Sequence, residues 1–452
     1  MSTVSISESP ATGESPLNDE GSVPVPDCPF PVPSQQEIIF HETQFFPLQR
    51  QSNIYGLLNI CINGLNKLVV STLGGEIFCL EYHKPSVQRP PSLTPITFNY
   101  IPADAEVISI DACVREPNGI IVGVTLIKNS EPKEIFFNLY GVKCDPEAPF
   151  SWDKVAEDWQ PISLKFTPFQ LLHTKILMDG GWENVFLLPG DDLTVHLYRE
   201  ARLAENDGEA RDQLVFQEEG LEELFPELVD LPSSVTYMCL KVVGHQRITA
   251  LGCQAGYCKC SFTDLFTNTV LKSWDTRMID GPITSVKLFT LHSSADPSDL
   301  NDYHLLVCSA IELGVVFMNV LERGFEHSQI LPSSHAHDSV LCATVGDLTW
   351  DGSNELVLGT YGKKLLVYKH SVDQTSSSPC FNLVWQRGFA HPIHCVWYGD
   401  MTHDGLSELV ALSMGGVHIL QHDLGQASSV ISERLSLIKN HTNSESKSSQ
   451  HH

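Results

Sequence analysis

The sequence is poor in basic residues. Its 452 residues include 28 Lys and Arg against 55 Asp and Glu, which gives a formal net charge of −27 at pH 7. Broad nucleic-acid binding and electrostatic binding to anionic membranes both require clustered Lys and Arg, so this balance argues against both classes. Charged residues make up only 18%, whereas 42% of the residues are apolar. Because disordered chains combine low hydrophobicity with many charges, the composition predicts a large folded core.

The sequence also lacks a long apolar run and a secretory leader. No stretch approaches the roughly 18 apolar residues of a membrane span, so direct membrane insertion is not expected. The first 35 residues contain no Lys or Arg, and no positive segment precedes an apolar stretch. The 13 Cys are odd in number and scattered, often inside apolar runs, as at Cys308 and Cys342. These features predict a cytoplasmic chain with reduced thiols.

Common catalytic signatures are missing as well. The sequence has neither the G-x-x-x-x-G-K-[ST] loop that cradles phosphates nor the G-x-S-x-G turn of many hydrolases. Cys253, Cys258 and Cys260 have no paired C-x-x-C or histidine partner at the spacing of a zinc site. We therefore predict a non-enzymatic protein with no catalytic residues and no cofactor.

The chain divides into segments of different composition. Residues 1–36 hold seven prolines among Ser, Glu and Asp, which predicts a disordered tail. Residues 37–423 consist of short β-type runs separated by Gly, Asp and Asn turns, with an acidic insertion at 200–232. A weak helical pattern follows at 424–439, and 440–452 is a second polar tail. The body is predicted to be all-β.

Internal repeats indicate how the body is organised. Residues 339–369 align with 392–422 at an offset of 53, which matches Cys342 with Cys395. Weaker copies of the same unit occur at residues 59–72, 107–126, 169–198, 235–260 and 283–317. About seven units of this size are typical of four-stranded blades. We therefore predict a single seven-bladed β-propeller.

The two strongest repeats each contain a D-x-T-x-D-G-x-x-E-L loop. Oxygen ligands at positions 1, 3, 5 and 9 around a Gly turn can hold a hard cation such as Ca²⁺. The candidate ligands are Asp347, Thr349, Asp351 and Glu355 in one loop, and Asp400, Thr402, Asp404 and Glu408 in the other. The neutral Thr and the Lys67 that replaces Glu in the first repeat favour the alternative of a structural turn without metal.

The acidic insertion contains an apolar stripe. Residues 205–230 include ten Asp and Glu and the single basic Arg211. Within this stretch the apolar residues fall at helical spacing, namely Leu221, Leu224, Phe225 and Leu228. One interpretation is a short helix that packs on the ring; the other is a docking element for a partner groove with basic edges.

Several segments resemble known propeller families. The D-x-T-x-D-G-x-x-E-L loops, with Trp385, Arg387, Pro392 and Ile393, resemble the FG-GAP blades of integrin-α-type propellers. Longer irregular segments are similar to the kaptin family: QSNIYGL (51–57), FNYIPADAEVISID (98–111), FTPFQL (166–171), LFPEL (224–228), ALGCQAGY (250–257) and GVHILQH (416–422).

This resemblance implies a scaffold subunit of the KICSTOR complex. Its partners would be a second FG-GAP propeller subunit, a small helical subunit, a large scaffold subunit and the GATOR complex. The assembly restrains mTOR complex 1 at the lysosome when amino acids or glucose are scarce, and the chain would reach that membrane through partners. The family is also associated with actin filaments at motile cell edges. Actin is acidic, so the charge of −27 favours the scaffold function over actin binding.

Overall fold

The strands of the described residues form seven four-stranded antiparallel sheets. A computed structural model describes residues 38–62, 64–82, 91–115, 119–143, 150–157, 159–178, 180–201, 215–277, 279–293, 300–372 and 378–448. Each sheet pairs strands that are consecutive in sequence, apart from one that combines the first strand with the last three. This arrangement confirms the predicted all-β propeller and its seven blades. The predicted N-terminal tail, 1–36, lies outside the described residues.

The first strand, β1, spans Phe40–Pro47 and belongs to the last blade. Blades 1 to 3 follow in chain order. Blade 1 contains β2 (Ser52–Ile62), β3 (Leu65–Thr72), β4 (Ile77–Glu81) and β5 (Ser92–Ile96). Blade 2 contains β6 (Ala105–Arg115), β7 (Gly119–Lys128), β8 (Glu134–Lys143) and β9 (Trp159–Leu164), with the short helix α1 (Trp152–Glu157) before β9. Blade 3 contains β10 (Leu172–Met178), β11 (Gly181–Pro189), β12 (Val195–Glu200) and β13 (Phe216–Glu219).

Blades 4 to 7 complete the order. Blade 4 contains β14 (Val235–Val243), β15 (Gln246–Cys253), β16 (Cys258–Asp264) and β17 (Thr269–Thr276). Blade 5 contains β18 (Ile283–Phe289), β19 (His304–Ser309), β20 (Val315–Phe317) and β21 (Ser328–Ile330), with α2 (Val320–Arg323) before β21. Blade 6 contains β22 (Val340–Gly346), β23 (Glu355–Thr360), β24 (Lys364–Val372) and β25 (Pro379–Gly388). Blade 7 contains β26 (Ile393–Gly399), β27 (Glu408–Ser413) and β28 (Gly416–His422).

Pairing between the two ends of the body closes the ring. β1 pairs antiparallel with β28, with Phe40 opposite His422 and Pro47 opposite Gly416. The last blade is thus built from both ends of the propeller sequence. This closure removes the free edge that a three-stranded seventh blade would leave.

The core lies between neighbouring sheets. Second strands are buried on both faces, as in β23 and β27, where every residue is buried. Outer strands are exposed, as in β17, where five consecutive residues from Thr269 are exposed. Because each blade packs both faces against its neighbours, second strands become continuous apolar runs without strict alternation.

The repeat at an offset of 53 corresponds to two adjacent blades. Cys342 in β22 and Cys395 in β26 each follow a register shift of one residue, after Val340 and Ile393 respectively. Within the described residues every cysteine is a free thiol. The matching sequence positions therefore specify matching bulges, and the thiols of Cys342 and Cys395 serve as core side chains.

The propeller lies within one compact unit, Gln36–Ser432. A third helix, α3, spans Leu424–Ser448, and so continues past the predicted end at 439 into the predicted tail. In its propeller part Ala427 and Val430 are buried. Among the helices described, none is long and apolar enough to cross a membrane.

Candidate functional site

The first of the two acidic loops is occupied by a lysine. The Nζ atom of Lys369, on β24, lies 2.5 Å from Asp351 Oδ2 and 2.8 Å from Glu355 Oε1. The same ammonium donates to Thr349 Oγ1 at 2.5 Å. Burial raises the pKa of Glu355, and the charge of Lys369 offsets that only in part. Three of the four candidate calcium ligands therefore converge on a protein cation.

The fourth candidate ligand of this loop, Asp347, shapes the turn. Its Oδ1 and Oδ2 accept hydrogen bonds from the backbone N–H groups of Asp351 and Gly352, at 3.1 and 2.9 Å. Gly352 has a φ of +87°, a conformation that glycine adopts without the steric cost of a Cβ atom. The carboxylate is thus a turn-forming group of the kind seen in Asx turns.

The second loop repeats the turn without the lysine. Asp400 accepts the N–H of Gly405 at 3.0 Å, and Gly405 has a φ of +89°. Glu408 Oε1 accepts from Thr402 Oγ1 at 3.0 Å and from Gln421 Nε2 at 3.4 Å. Gln421 stands where the first loop has its lysine, so this loop pairs its buried glutamate with a neutral amide.

The other candidate of this second loop, Asp404, accepts the N–H of Leu406 at 2.8 Å through Oδ1. Burial raises the pKa of Glu408, whose other oxygen accepts the N–H of Met401 at 2.8 Å. Across the part of the chain that the structure describes, no group of three or more His, Cys, Asp or Glu is arranged to hold a metal ion. In both loops the carboxylates serve backbone and side-chain donors of the protein.

Blade 1 has an ion pair like that of Glu355 and Lys369 in blade 6, but with the lysine and the glutamate on exchanged strands. Lys67 Nζ, on β3, lies 2.5 Å from Glu81 Oε1, at the end of β4. Trp152 Nε1 donates to the same oxygen at 3.3 Å, and the ammonium lies 5.6 Å from the ring centroid of Phe150. Burial alone would raise the pKa of Glu81, but the hydrogen bond and charge of Lys67 bring it below its ordinary value. The Lys67 that argued against calcium is part of an ion pair.

The apolar stripe of the acidic insertion packs on the propeller. Leu221, Phe225 and Leu228 are buried in the cluster between blades 3 and 4, and Leu224 packs against it half-buried. The segment forms a turn followed by a 3₁₀ helix, Pro226–Leu228, instead of the α-helix suggested by the spacing. The structure therefore favours the packing interpretation for these four side chains over docking. Residues 202–214 lie outside the described part of the chain.

A buried ion pair holds this segment in place. Arg247 Nε donates to Glu227 Oε1 at 2.8 Å, and both side chains are fully buried. Thr249 Oγ1 donates to the same oxygen at 2.9 Å, and Lys259 Nζ donates to the Glu227 carbonyl at 2.7 Å. The Arg247 guanidinium lies 4.0 Å from the ring centroid of Phe225. The sequence does not reveal this pair, because Glu227 lies on the segment between β13 and β14 and Arg247 lies on β15, and the two meet only in the fold.

The centre of the ring is closed by a bulge in β2. Between Ser52, opposite Thr72, and Leu57, opposite Val70, the strand carries extra residues. Within the bulge Asn53 Nδ2 donates to the Val107 carbonyl of blade 2 at 2.9 Å. This segment contains the QSNIYGL motif (51–57), which therefore forms a plug across the central channel of the ring.

Tyr55 extends the plug to the opposite side of the ring. Its hydroxyl donates to the Thr236 carbonyl of blade 4 at 2.6 Å, and burial raises its pKa. Cys395 Sγ, on blade 7, lies 3.3 Å from the Ile54 carbonyl. A cavity of about 230 Å³ remains in the channel and is lined by residues from the inner strands of all seven blades. The plug therefore ties distant blades to one another and bounds a small internal space.

A Ser–His–Glu chain in blade 7 resembles a catalytic triad in its connectivity. Ser413 Oγ lies 3.0 Å from His418 Nε2, and His418 Nδ1 lies 2.9 Å from Glu42 Oε1. Ser413 is fully buried, and its Oγ is also 2.9 Å from the Gly416 carbonyl. A nucleophile needs access to substrate, so this chain is better explained as a link between β1 and blade 7.

These features define a closed, seven-bladed β-propeller stabilised by buried polar pairs. A family model described as KICSTOR complex protein kaptin matches residues 40–432. A mouse protein, KICSTOR complex protein kaptin, is 39% identical over 404 residues, which cover 87% of this chain and 90% of the mouse protein. The chain belongs to the kaptin family.

Solved structures with a similar fold are much more distant. A crystal structure of Sqt1 from Chaetomium thermophilum is 13% identical with a TM-score of 0.45, covering 79% of this chain and 80% of Sqt1. Sqt1 from the same organism bound to the N-terminus of ribosomal protein L10 is also 13% identical, with a TM-score of 0.44 and coverages of 79% and 81%. Similarity at this level carries no functional information.

Proposed function

We propose that the protein is a non-enzymatic scaffold subunit of the KICSTOR complex. In this role it helps to bring the GATOR complex to the lysosomal surface and so restrains mTOR complex 1 when amino acids or glucose are scarce. Its partners are a second propeller subunit, a small helical subunit and a large scaffold subunit. It reaches the membrane through these partners.

The observation that carries this proposal is the family match over residues 40–432 together with 39% identity to the mouse protein. The matched range spans all the described blades and the segments that carry the plug, the acidic loops and the Glu227–Arg247 pair. Such coverage supports a shared assembly role more strongly than a shared fold alone would, since one fold hosts many functions.

The internal chemistry of the ring supports a platform function. The candidate calcium ligands form turns or pair with Lys369, and the triad-like serine is buried between strands. These interactions hold the positions of loops and edges while leaving the outer surfaces for recognition. A rigid platform lowers the entropic cost of binding, because fewer groups must be ordered on association.

We propose that a partner contacts the exposed face of the segment between β13 and β14. Glu222 and Glu223 are exposed, whereas the leucines and phenylalanine around them are turned into the core. Two adjacent carboxylates on a segment fixed by Arg247 suit a basic surface on another KICSTOR subunit. The buried stripe then positions this acidic face.

Affinity purification of the tagged protein from amino-acid-starved cells, followed by mass spectrometry, tests the proposal. We expect recovery of the second propeller subunit, the large scaffold subunit and GATOR components. Recovery of actin and actin regulators without these proteins would contradict it and support the cytoskeletal alternative. Co-sedimentation of the purified protein with actin filaments then establishes whether that association is direct.

A further inference from the structure

The cavity at the centre of the ring has a distinct composition. Its volume of about 230 Å³ is below the roughly 300–1,000 Å³ of typical ligand pockets, which suits a small molecule. The lining includes Lys287 from β18, Tyr237 from β14 and Asp111 from β6. In a chain of net charge −27, a lysine at the centre of the ring requires an explanation.

No carboxylate among the described residues forms an ion pair with Lys287. Its ammonium lies 5.8 Å from the ring centroid of Tyr237. The interaction with Tyr237 holds the pKa of Lys287 above its ordinary value, against the opposing effect of burial. Burial raises the pKa of Tyr237, so its phenol is neutral at neutral pH and gives this amine no anionic partner.

The one carboxylate in the cavity lining is already engaged. Asp111 Oδ2 accepts hydrogen bonds from the backbone N–H and, at 2.8 Å, from Nδ1 of His173. Its Oδ1 accepts the N–H of Ala112 at 2.8 Å. Burial alone would lower the pKa of His173, but Asp111 brings it above its ordinary value. Asp111 is thus paired with His173 and not with Lys287.

Other groups also line the cavity. Gln170 lines the cavity, and its Oε1 accepts the N–H of Met238 at 2.6 Å, so any hydrogen bond that its amide donates to a ligand must come from Nε2. Burial raises the pKa values of Cys342 and Cys395, so their thiols are neutral and supply no negative charge.

We propose that the central cavity binds a small oxyanion, a carboxylate or phosphate group of a small molecule, with Lys287 as its counter-charge and Gln170 as a hydrogen-bond donor. Lys287 is half-buried at the cavity wall and has no carboxylate partner among the described residues, and a bound anion would supply one. This site is independent of the proposed scaffold function.

Isothermal titration calorimetry and thermal unfolding of the purified full-length protein test this site. The probes are inorganic phosphate and succinate, each at constant ionic strength against chloride. We expect saturable binding of at least one probe and a corresponding rise in Tm. Binding of phosphate alone assigns a phosphoryl ligand, and binding of succinate alone assigns a carboxylate ligand.

Three variants locate the binding. Lys287→Met removes the charge and should weaken binding at least tenfold, while Lys287→Arg should retain it. Lys133→Met, at an exposed lysine, is the matched control and should bind like the wild type. Comparing variants at equal salt also removes the general stabilising effect of phosphate. The proposal is overturned if neither probe binds the wild type, or if Lys287→Met binds as tightly as the wild type.

Discussion

Lys67 on β3 faces Glu81 on β4. At the same register position in blade 6, Glu355 on β23 faces Lys369 on β24, so the two charges are exchanged between the strands. In blade 1 the pair Leu68–Leu80 comes next in register, and in blade 6 the pair Leu356–Tyr368 does. The ion pairs measure 2.5 and 2.8 Å. Equivalent positions in two blades therefore preserve an interaction while exchanging the residues that make it.

The blade 6 pair gives an order of stabilities. Lys369→Gln copies the arrangement of Glu408 and Gln421 in blade 7, so it should be the mildest change. Lys369→Met leaves the carboxylates of Asp351 and Glu355 without a cationic partner, and we expect it to lower the free energy of unfolding by about 3 kcal/mol. Lys369→Glu should be worse, because it adds a third carboxylate. Urea unfolding monitored by circular dichroism measures this order.

The control for that series is Lys128→Met, in the exposed pair Lys128–Glu134. Exposed pairs contribute little to stability, so this variant should unfold close to the wild type. Equal stabilities for Lys369→Gln, Lys369→Met and the control would show that the blade 6 pair is not a stabilising interaction.

Calcium should leave the wild-type protein unchanged. In the first loop Lys369 already holds oxygens of Asp351 and Glu355, and in the second both oxygens of Asp400 accept backbone N–H groups. We expect the same Tm in millimolar CaCl₂ and in EDTA. A calcium-dependent rise in Tm that disappears in Asp400→Asn would instead place an ion in the second loop.

Replacing one member of the Glu227–Arg247 pair should destabilise the fold more than replacing both members. Glu227→Gln leaves the guanidinium charge buried, so we expect a loss of about 3–5 kcal/mol in the free energy of unfolding. Replacing both residues, by Glu227→Leu with Arg247→Met, should cost less because no charge stays buried. A double variant less stable than Glu227→Gln would contradict this reasoning. Denaturant titration of the three proteins measures it.

Acid should destabilise the propeller through His422. Burial lowers the pKa of this histidine to about 4, against roughly 6.5 in an unfolded chain. The folded state then binds fewer protons, so its stability is complete above pH 6.5 and falls as the pH drops towards 4. We expect this group to cost about 2 kcal/mol between pH 7 and 5.

The variant His422→Phe tests the assignment. Phenylalanine can keep the ring contacts with Phe40 and Trp350, and the Tyr398 hydroxyl retains the Asp347 carbonyl as an acceptor at 3.2 Å. The slope of unfolding free energy against pH should become smaller in this variant. An unchanged slope would assign the acid sensitivity to other histidines whose pKa is lowered by burial, such as His304 and His394.

The acidic face can be separated from the core beneath it. Glu222→Lys with Glu223→Lys should reduce recovery of KICSTOR subunits in affinity purification without lowering Tm, because both side chains are exposed. Glu322→Lys with Glu326→Lys makes the same charge change on blade 5 and should leave recovery unchanged. Equal recovery with both double variants would rule out this face as a partner contact.

The sequence predicts the blades better than it predicts what joins them. The offset of 53 between Cys342 and Cys395 identifies two adjacent blades from the sequence, because β22 and β26 carry the same bulge. The pairing of β1 with β28 could not be predicted in this way, since no periodic signal connects strands so far apart in the chain. Such closure depends on the curvature of the assembled ring.

In the acidic segment, the sequence pattern identified the buried residues but not the local structure or what covers them. Leu221, Leu224, Phe225 and Leu228 have helical spacing, yet Pro226 begins a 3₁₀ helix and the side chains reach the core through a turn. Spacing indicated that these residues share a face, but it could not tell whether a neighbouring blade or a partner covers that face. The arginine that decides the matter, Arg247, lies on a separate strand.

The closure between Phe40 and His422 has a consequence for synthesis of the chain. β1 is the first strand to leave the ribosome, but its partner β28 is the last, so at roughly 5–20 residues per second the strand waits roughly 20–80 s. Throughout that interval its edge can pair with other nascent chains. A messenger RNA that is truncated before the codons for β28 would yield a protein in which β1 has no strand to pair with.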